Sequence, residues 1–231
     1  MNHLTNNNFI HLLKISLLLV FCIFSVQLSA KETTTFTFPK SIANEEALIP
    51  SLSNVYEIVV STNGDLNKDD LMDLVVVVAD KSENADFDAP VYLGIYFKNS
   101  NGSYDLNVVS TTAVLCLQCG GAFGNPFSGI DITPKGILQI HHYGGSSSRW
   151  AYLDKYRFQN GAFYLIGSSY TESNTFSLAH KTIDTNLITG DQETIVDPGE
   201  EAKNKKVKKS RKKVTVKPLK TIDIYSPGSM L

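Results

Sequence analysis

Residues 64–78 read GDLNKDDLMDLVVVV and place oxygen-bearing side chains at alternate positions ahead of an unbroken apolar run. Counting from Asp65, oxygens fall at positions 1 (Asp65), 3 (Asn67), 5 (Asp69) and 9 (Asp73), and the backbone carbonyl of Leu71 stands at position 7. A hard cation such as Ca²⁺ takes about six to eight oxygen ligands, and alternating ligands on a tightly turned loop converge on one point. Without a cation, aspartates facing one another would repel. A solvated acidic turn is the alternative. The twelfth position is Val76 where an EF-hand has Glu, and a strand follows in place of a helix, so this is no EF-hand.

Two further groups of residues have chemical potential. Cys116 and Cys119 are spaced as a tight disulfide or a thiol redox pair, with a metal as a further option. The following Gly-Gly-Ala-Phe-Gly-Asn-Pro is a poor helix start, which favours the structural disulfide over the redox motif. His141 and His142 lie near Ser146–Ser148 and Arg149. Adjacent residues on a strand point to opposite faces, so at most one histidine serves a given site. There is no Gly-x-Ser-x-Gly elbow to present a nucleophile. A Cys₂His₂ zinc site from these residues fails on spacing, because consecutive histidines replace the usual separation of about three to five residues. Trp150 and the aromatics Tyr143, Tyr152, Tyr156, Phe158, Phe163 and Tyr164 could line a groove, but in a β protein they more often form core and cross-strand pairs.

The elements that must position these residues are short strands. Tyr56–Ser61 is rich in β-branched residues, and Leu74–Ala79 is continuously apolar, as a strand buried on both faces would be. Pro90–Lys98 alternates, with Val91, Leu93, Ile95 and Phe97 on one face; Asn99–Gly102 turns and Ser103–Ser110 returns as its hairpin partner. Gly129–Ile132, the turn Pro134–Gly136 and Ile137–Tyr143 repeat the style. Asn160-Gly161 between aromatic-rich runs marks a hairpin whose two central residues need positive φ. No amphipathic helix of ten residues stands out. The reading is all-β: two antiparallel sheets or propeller-like blades, from residues 52–115 and 128–190, packed as a small sandwich with long turns.

Residues 1–30 have the form of a secretory signal peptide: Lys14, the apolar run Ile15–Val26, and Ala30 at the cut. An uncleaved anchor is the alternative. Residues 31–50 form a polar leader, 51–200 the all-β domain, and 201–231 a basic C-terminal segment, either an edge hairpin in which VTVKPL (214–219) is the strand or a flexible arm. Residues 31–202 carry 10 basic and 22 acidic side chains, net −12, whereas 203–220 hold ten bases and no acid. No aromatics interleave those bases, which argues against nucleic acid; an anionic surface is the better partner for them.

Asp65, Asn67, Asp69 and Asp73, leading into Leu74–Ala79, resemble the calcium loop of FG-GAP and VCBS-type repeats, as in integrin α-chain propellers and many exported bacterial proteins. The resemblance covers residues 52–105 and occurs once. It implies bound Ca²⁺ held by Asp65, Asn67, Asp69, Leu71 and Asp73. Asp70 departs from the pattern, standing where the family has Gly and a left-handed backbone. The second half resembles an uncharacterised class of exported bacterial proteins, which supplies no activity. The resulting expectation is a periplasmic, cell-surface or secreted structural or binding module that contacts a protein or envelope polymer and has no transmembrane span in the mature chain. The rivals are an enzyme or accessory acting on cell-wall or extracellular polymer, with its site near His142 and Arg149, and a thiol-disulfide redox protein using Cys116 and Cys119.

Overall fold

Six consecutive apolar residues with no polar alternation can form a strand only if both faces are covered, and the fold follows from how that is done. The computed structural model describes residues 35–82, 87–203 and 205–229; the signal-peptide segment lies outside them. The chain forms two antiparallel sheets packed as a sandwich. The first comprises β1 (Ser41–Ile42), β2 (Tyr56–Gly64), β3 (Asp73–Asp80), β4 (Tyr92–Lys98) and β5 (Tyr104–Ser110), in the order β1-β5-β4-β3-β2, and curls as a half-barrel. The second comprises β6 (Phe127–Ile132), β7 (Ile137–Gly145), β8 (Ser148–Gln159), β9 (Ala162–Asn174), β10 (His180–Asn186), β11 (Asp191–Asp197) and β12 (Lys208–Lys213), side by side in reverse sequence order.

Strand β3 sorts its side chains by parity. Val75, Val77 and Ala79 enter the core between the sheets with Leu93, Ile95, Leu138, Ile140 and Leu165. Leu74, Val76 and Val78 point the other way. Their cover is the stretch read from the sequence as a polar leader, which requires correction: Phe36, Phe38, Ile42 and Leu48 are buried there, with Leu48 on a 3-10 helix (Glu45–Ser51) capped by the Asn44 side chain. Phe36 meets Tyr56 and Tyr92, and Phe38 meets Tyr96, as tilted or edge-on ring pairs. Gly94 on β4 makes room for Phe38, since a Cβ there would stand 2.8 Å from its ring.

Turn chemistry follows the sequence closely. Asn160 and Gly161 both have positive φ, 50° and 80°, and join β8 to β9 by a two-residue connection.

The basic segment differs from expectation. Its strand is the lysine-rich Lys208–Lys213, paired with β11, while VTVKPL runs on without a ladder partner strand. The ladder is acidic against basic: Arg211 Nε stands 2.8 Å from Glu193 and Lys213 Nζ 2.8 Å from Asp191. Opposite charges directly across a ladder stabilise it, and lysine suits an exposed edge. Pro218 has no amide to donate. The second sheet thus runs beyond residue 190 to Lys213. The chain then turns inward: Ile222 and Tyr225 are buried in the inter-sheet core. Leu165 N donates to Lys220 O and Ile222 N to Phe163 O, while the Ser110 hydroxyl on β5 donates to Ile222 O at 2.7 Å. Those bonds tie the tail to both sheets.

Candidate functional site

The acidic loop leaves β2 at Gly64 and enters β3 at Asp73. Its side chains fold onto its own amides. Asp65 Oδ1 accepts from Lys68 N (2.7 Å) and Asp69 N (3.2 Å), and Oδ2 accepts from Asp70 N (3.2 Å). Asn67 Oδ1 accepts from Asp69 N, and Asp69 Oδ1 from Leu71 N (2.9 Å). Lys68 and Asp70 both have left-handed backbones, φ 71° and 67°, so Asp70 takes the conformation that glycine would hold without strain.

Asp73 is different, being wholly buried. Its Oδ2 accepts from Leu66 N (2.8 Å) and its Oδ1 from Lys98 N at the end of β4 (3.0 Å). Burial pushes its carboxyl up, the amides at 66 and 98 oppose that, and the nearby Asp69 charge adds to the rise. Leu66, between these residues, is buried in the inter-sheet core. The β6–β7 turn closes against the loop, where a Cβ on Gly136 would collide with Asp65 O and with the Lys68 side chain. The loop therefore sits at a junction of β2, β3, β4 and the second sheet. Among the described residues no group of three or more His, Cys, Asp or Glu side chains is gathered as a metal cluster.

Cys116 and Cys119 form a disulfide across a turn in which Cys119 N donates to Cys116 O. Cys116 is buried, and no helix follows to stabilise a thiolate.

The two histidines point to opposite faces of β7, as alternation requires. His141 is exposed and pairs with Asp131 at 2.8 Å. His142 is buried against Phe127; its Nε2 accepts from Leu115 N at 3.2 Å, which leaves the ring proton on Nδ1, and Nδ1 has no partner. Burial, followed by the neighbouring His141, pushes its pKa down to about 4. Arg149 pairs with Gly145 and shares the face of His141, whereas His142 lies opposite Tyr152 on the inner face. The sheet therefore separates His142 from Arg149, whose guanidinium stacks 4.0 Å above the Phe123 ring. No hydrogen bond among the described residues joins either histidine to Ser146–Ser148.

Sequence reasoning passed over a second buried acid. Asp154 on β8 is fully buried, and its Oδ1 accepts from the Ser168 hydroxyl (2.6 Å) and the Tyr225 hydroxyl (3.2 Å). Its Oδ2 and the Tyr156 hydroxyl have no partner. Burial pushes this carboxyl up to about 6, with the two hydroxyl bonds opposing. The available signal was phase: Asp154 alternates with Tyr152, Tyr156 and Phe158, so it falls on the core-facing side of an aromatic strand.

Among the described residues, no helix is long and apolar enough to cross a membrane. No protein-family model, curated protein or solved structure matches the chain.

Proposed function

We propose that the protein is an exported, non-catalytic structural or binding module in which a hard cation, Ca²⁺, stiffens the junction between β2 and β3. The single observation that carries this reading is the wrapped loop. Asp65 gathers the amides of residues 68, 69 and 70 around one carboxylate, and Asn67 and Asp69 turn inward in the same way. A carboxylate or amide oxygen has two lone pairs, so Asp65 Oδ2, Asn67 Oδ1 and the Asp69 oxygens, each with one donor, keep capacity for a cation, whereas Asp65 Oδ1 already accepts two amides. Asp65, Asn67, Asp69 and the Leu71 carbonyl supply ligands, and Asp73 joins them with its remaining lone pairs while anchoring the loop to β4. The repulsion that Asp69 exerts on Asp73 is the charge a divalent ion would neutralise. Bound Ca²⁺ would supply electrostatic cross-linking and no reaction chemistry. Separation of His142 from Arg149 by the sheet favours the module over the enzyme at that position. The signal-like N-terminus and the disulfide favour a periplasmic, cell-surface or secreted location, and the lysine edge favours an anionic envelope surface as neighbour.

The test is thermal unfolding of chelator-treated protein with and without added Ca²⁺. The melting temperature rises with Ca²⁺ in the native protein and does not rise in Asp65→Ala. An unchanged midpoint at millimolar Ca²⁺ would remove the cation from the proposal.

A further inference from the structure

The second sheet is two strands wider than the first, and its excess forms a groove. This groove, about 510 Å³, lies between the inner face of β8–β11 and the returning segment Val214–Lys220; none of its lining residues comes from β1–β5. That size falls within the range of small-ligand sites, about 300–1,000 Å³. It is separate from the acidic loop.

Its floor holds Tyr152 and Tyr170, stacked with ring centroids 5.2 Å apart and planes 30° from parallel. Ile183 and Leu187 continue the apolar floor, and Val214 and Leu219 form the roof. Val216, at the rim, is 50% exposed, an apolar side chain left in water where the groove opens. The charged lining residues are Lys217 and Lys220, with no acid among them. Neither lysine has an acidic partner among the ion pairs of the described residues. Lys220 Nζ lies 5.8 Å above the ring of Tyr225, itself a wall of the groove, which fixes its charge at the cavity. Two carboxyls lie just outside the lining: Asp154 sits behind Ser168 and Tyr225, whose hydroxyls donate to it, and Glu172 accepts from the Tyr170 hydroxyl at 3.5 Å while pairing with Lys181 at 3.4 Å.

The lining is mostly apolar, its polar Thr185 and Gln192 are bonded to each other, and it carries two cations and no acid; this combination selects a ligand that is apolar along its length and negative at one end. We propose that this groove binds a single-chain anionic amphiphile, an alkyl chain ending in a carboxylate or phosphate. The chain lies on Tyr152, Tyr170 and Ile183 beneath the Val214–Leu219 roof, and the head group meets Lys220 and Lys217. Free fatty acids and phosphate-headed lipids share this chemistry.

Trp150 is the only tryptophan in the chain, and its ring lies 5.3 Å from that of Tyr152, so its fluorescence reports on the groove. The full chain is titrated with dodecanoate and, separately, dodecyl phosphate, each below its micellar concentration and in the presence of chelator. At least one gives a saturable change, and their relative affinities identify the head group. Dodecanol, with the same chain and no charge, binds at least tenfold more weakly, and acetate gives no change. The double variant Lys217→Gln/Lys220→Gln loses at least tenfold in affinity with an unchanged melting temperature. Lys209→Gln, on the exposed edge strand, keeps native affinity. Equal binding of dodecanol, equal loss in Lys209→Gln, a response to a neutral disaccharide in place of the alkyl anions, or no saturable signal each overturns the proposal. Because chelator is present throughout, none of these outcomes depends on the cation loop.

Discussion

Two aspartates among the described residues are completely shielded from water, and they are held in opposite ways. Asp73 accepts backbone amides from Leu66 and Lys98, whose positions are fixed by β4 and the loop. Asp154 accepts two rotatable hydroxyls and leaves its second oxygen without a partner. Amides cannot turn away or accept a proton, so the preset cradle around Asp73 favours its anion and opposes the upward push of burial. The hydroxyls around Asp154 can reorient to accept, so they tolerate a protonated acid equally well. Burial alone does not decide whether a carboxyl is structural or titratable; the rigidity of its donors does.

The sharpest way to break this comparison is to remove the Asp73 carboxylate. Asp73→Ala leaves the amides of Leu66 and Lys98 buried without acceptors, at about 1–3 kcal/mol for each orphaned group. Denaturant unfolding without added metal should show a loss of about 3 kcal/mol or more, with Asp73→Asn losing less because one acceptor oxygen remains.

The Asp154 side of the comparison is read by pH. Its unfolded carboxyl releases a proton near 3.8 and its folded one near 6. That contribution is full below about pH 4 and is lost as pH rises through 6. His142 has the opposite sign: the unfolded ring protonates near 6.5 and the folded ring only near 4. Its contribution is present above about 6.5 and is lost as pH falls toward 4. The two slopes oppose each other between about pH 4 and 6. In Asp154→Asn, stability should fall more steeply than in the native protein as pH drops through that window. At pH 7.5 the same variant should gain about 1–2 kcal/mol by shedding a poorly solvated charge. A pH profile superimposable on the native one would show that Asp154 is not the titrating group.

The smallest effect belongs to Asp70. A left-handed non-glycine residue costs about 1–2 kcal/mol, part of which returns as lost chain entropy when glycine is introduced. Asp70→Gly should therefore stabilise the protein by about 0.5–1 kcal/mol and sharpen the response to Ca²⁺, measured as the shift in melting midpoint.

Much of the architecture was legible because it rests on local patterns. Alternation in 90–98, the Asn160-Gly161 turn, the left-handed Asp70 and the divergent His141 and His142 are each decided by a few neighbouring residues. The long valine run of β3 announced that both its faces are covered. It did not say that Phe36, Phe38 and Leu48 cover one of them, because scattered apolar residues in a polar leader have no period. Lys208–Lys213 carries no β signal of its own; it is a strand because Asp191 and Glu193 stand opposite. Asp154 was passed over because its meaning depends on Ser168 and Tyr225, remote in sequence. The disulfide was readable from the Cys-x-x-Cys spacing and from the Gly-Gly-Ala-Phe-Gly-Asn-Pro that follows it, a poor helix start. The occupant of the acidic loop is not fixed by pattern, since the same side chains that suit a cation also satisfy the loop's own amides.

The seam between the sheets has a consequence for when this protein can finish folding. Ser110 on β5 donates to the carbonyl of Ile222, 112 positions later, and Tyr225 fills the same core. A chain made from its N-terminus presents the whole first sheet long before its closing residues exist. Until residues 220–225 emerge, the inner faces of both sheets stay partly open, and Phe163 and Leu165 keep unpaired backbone groups. The nascent chain therefore spends most of its synthesis without a sealed core, a condition suited to handling by chaperones and unsuited to early compaction.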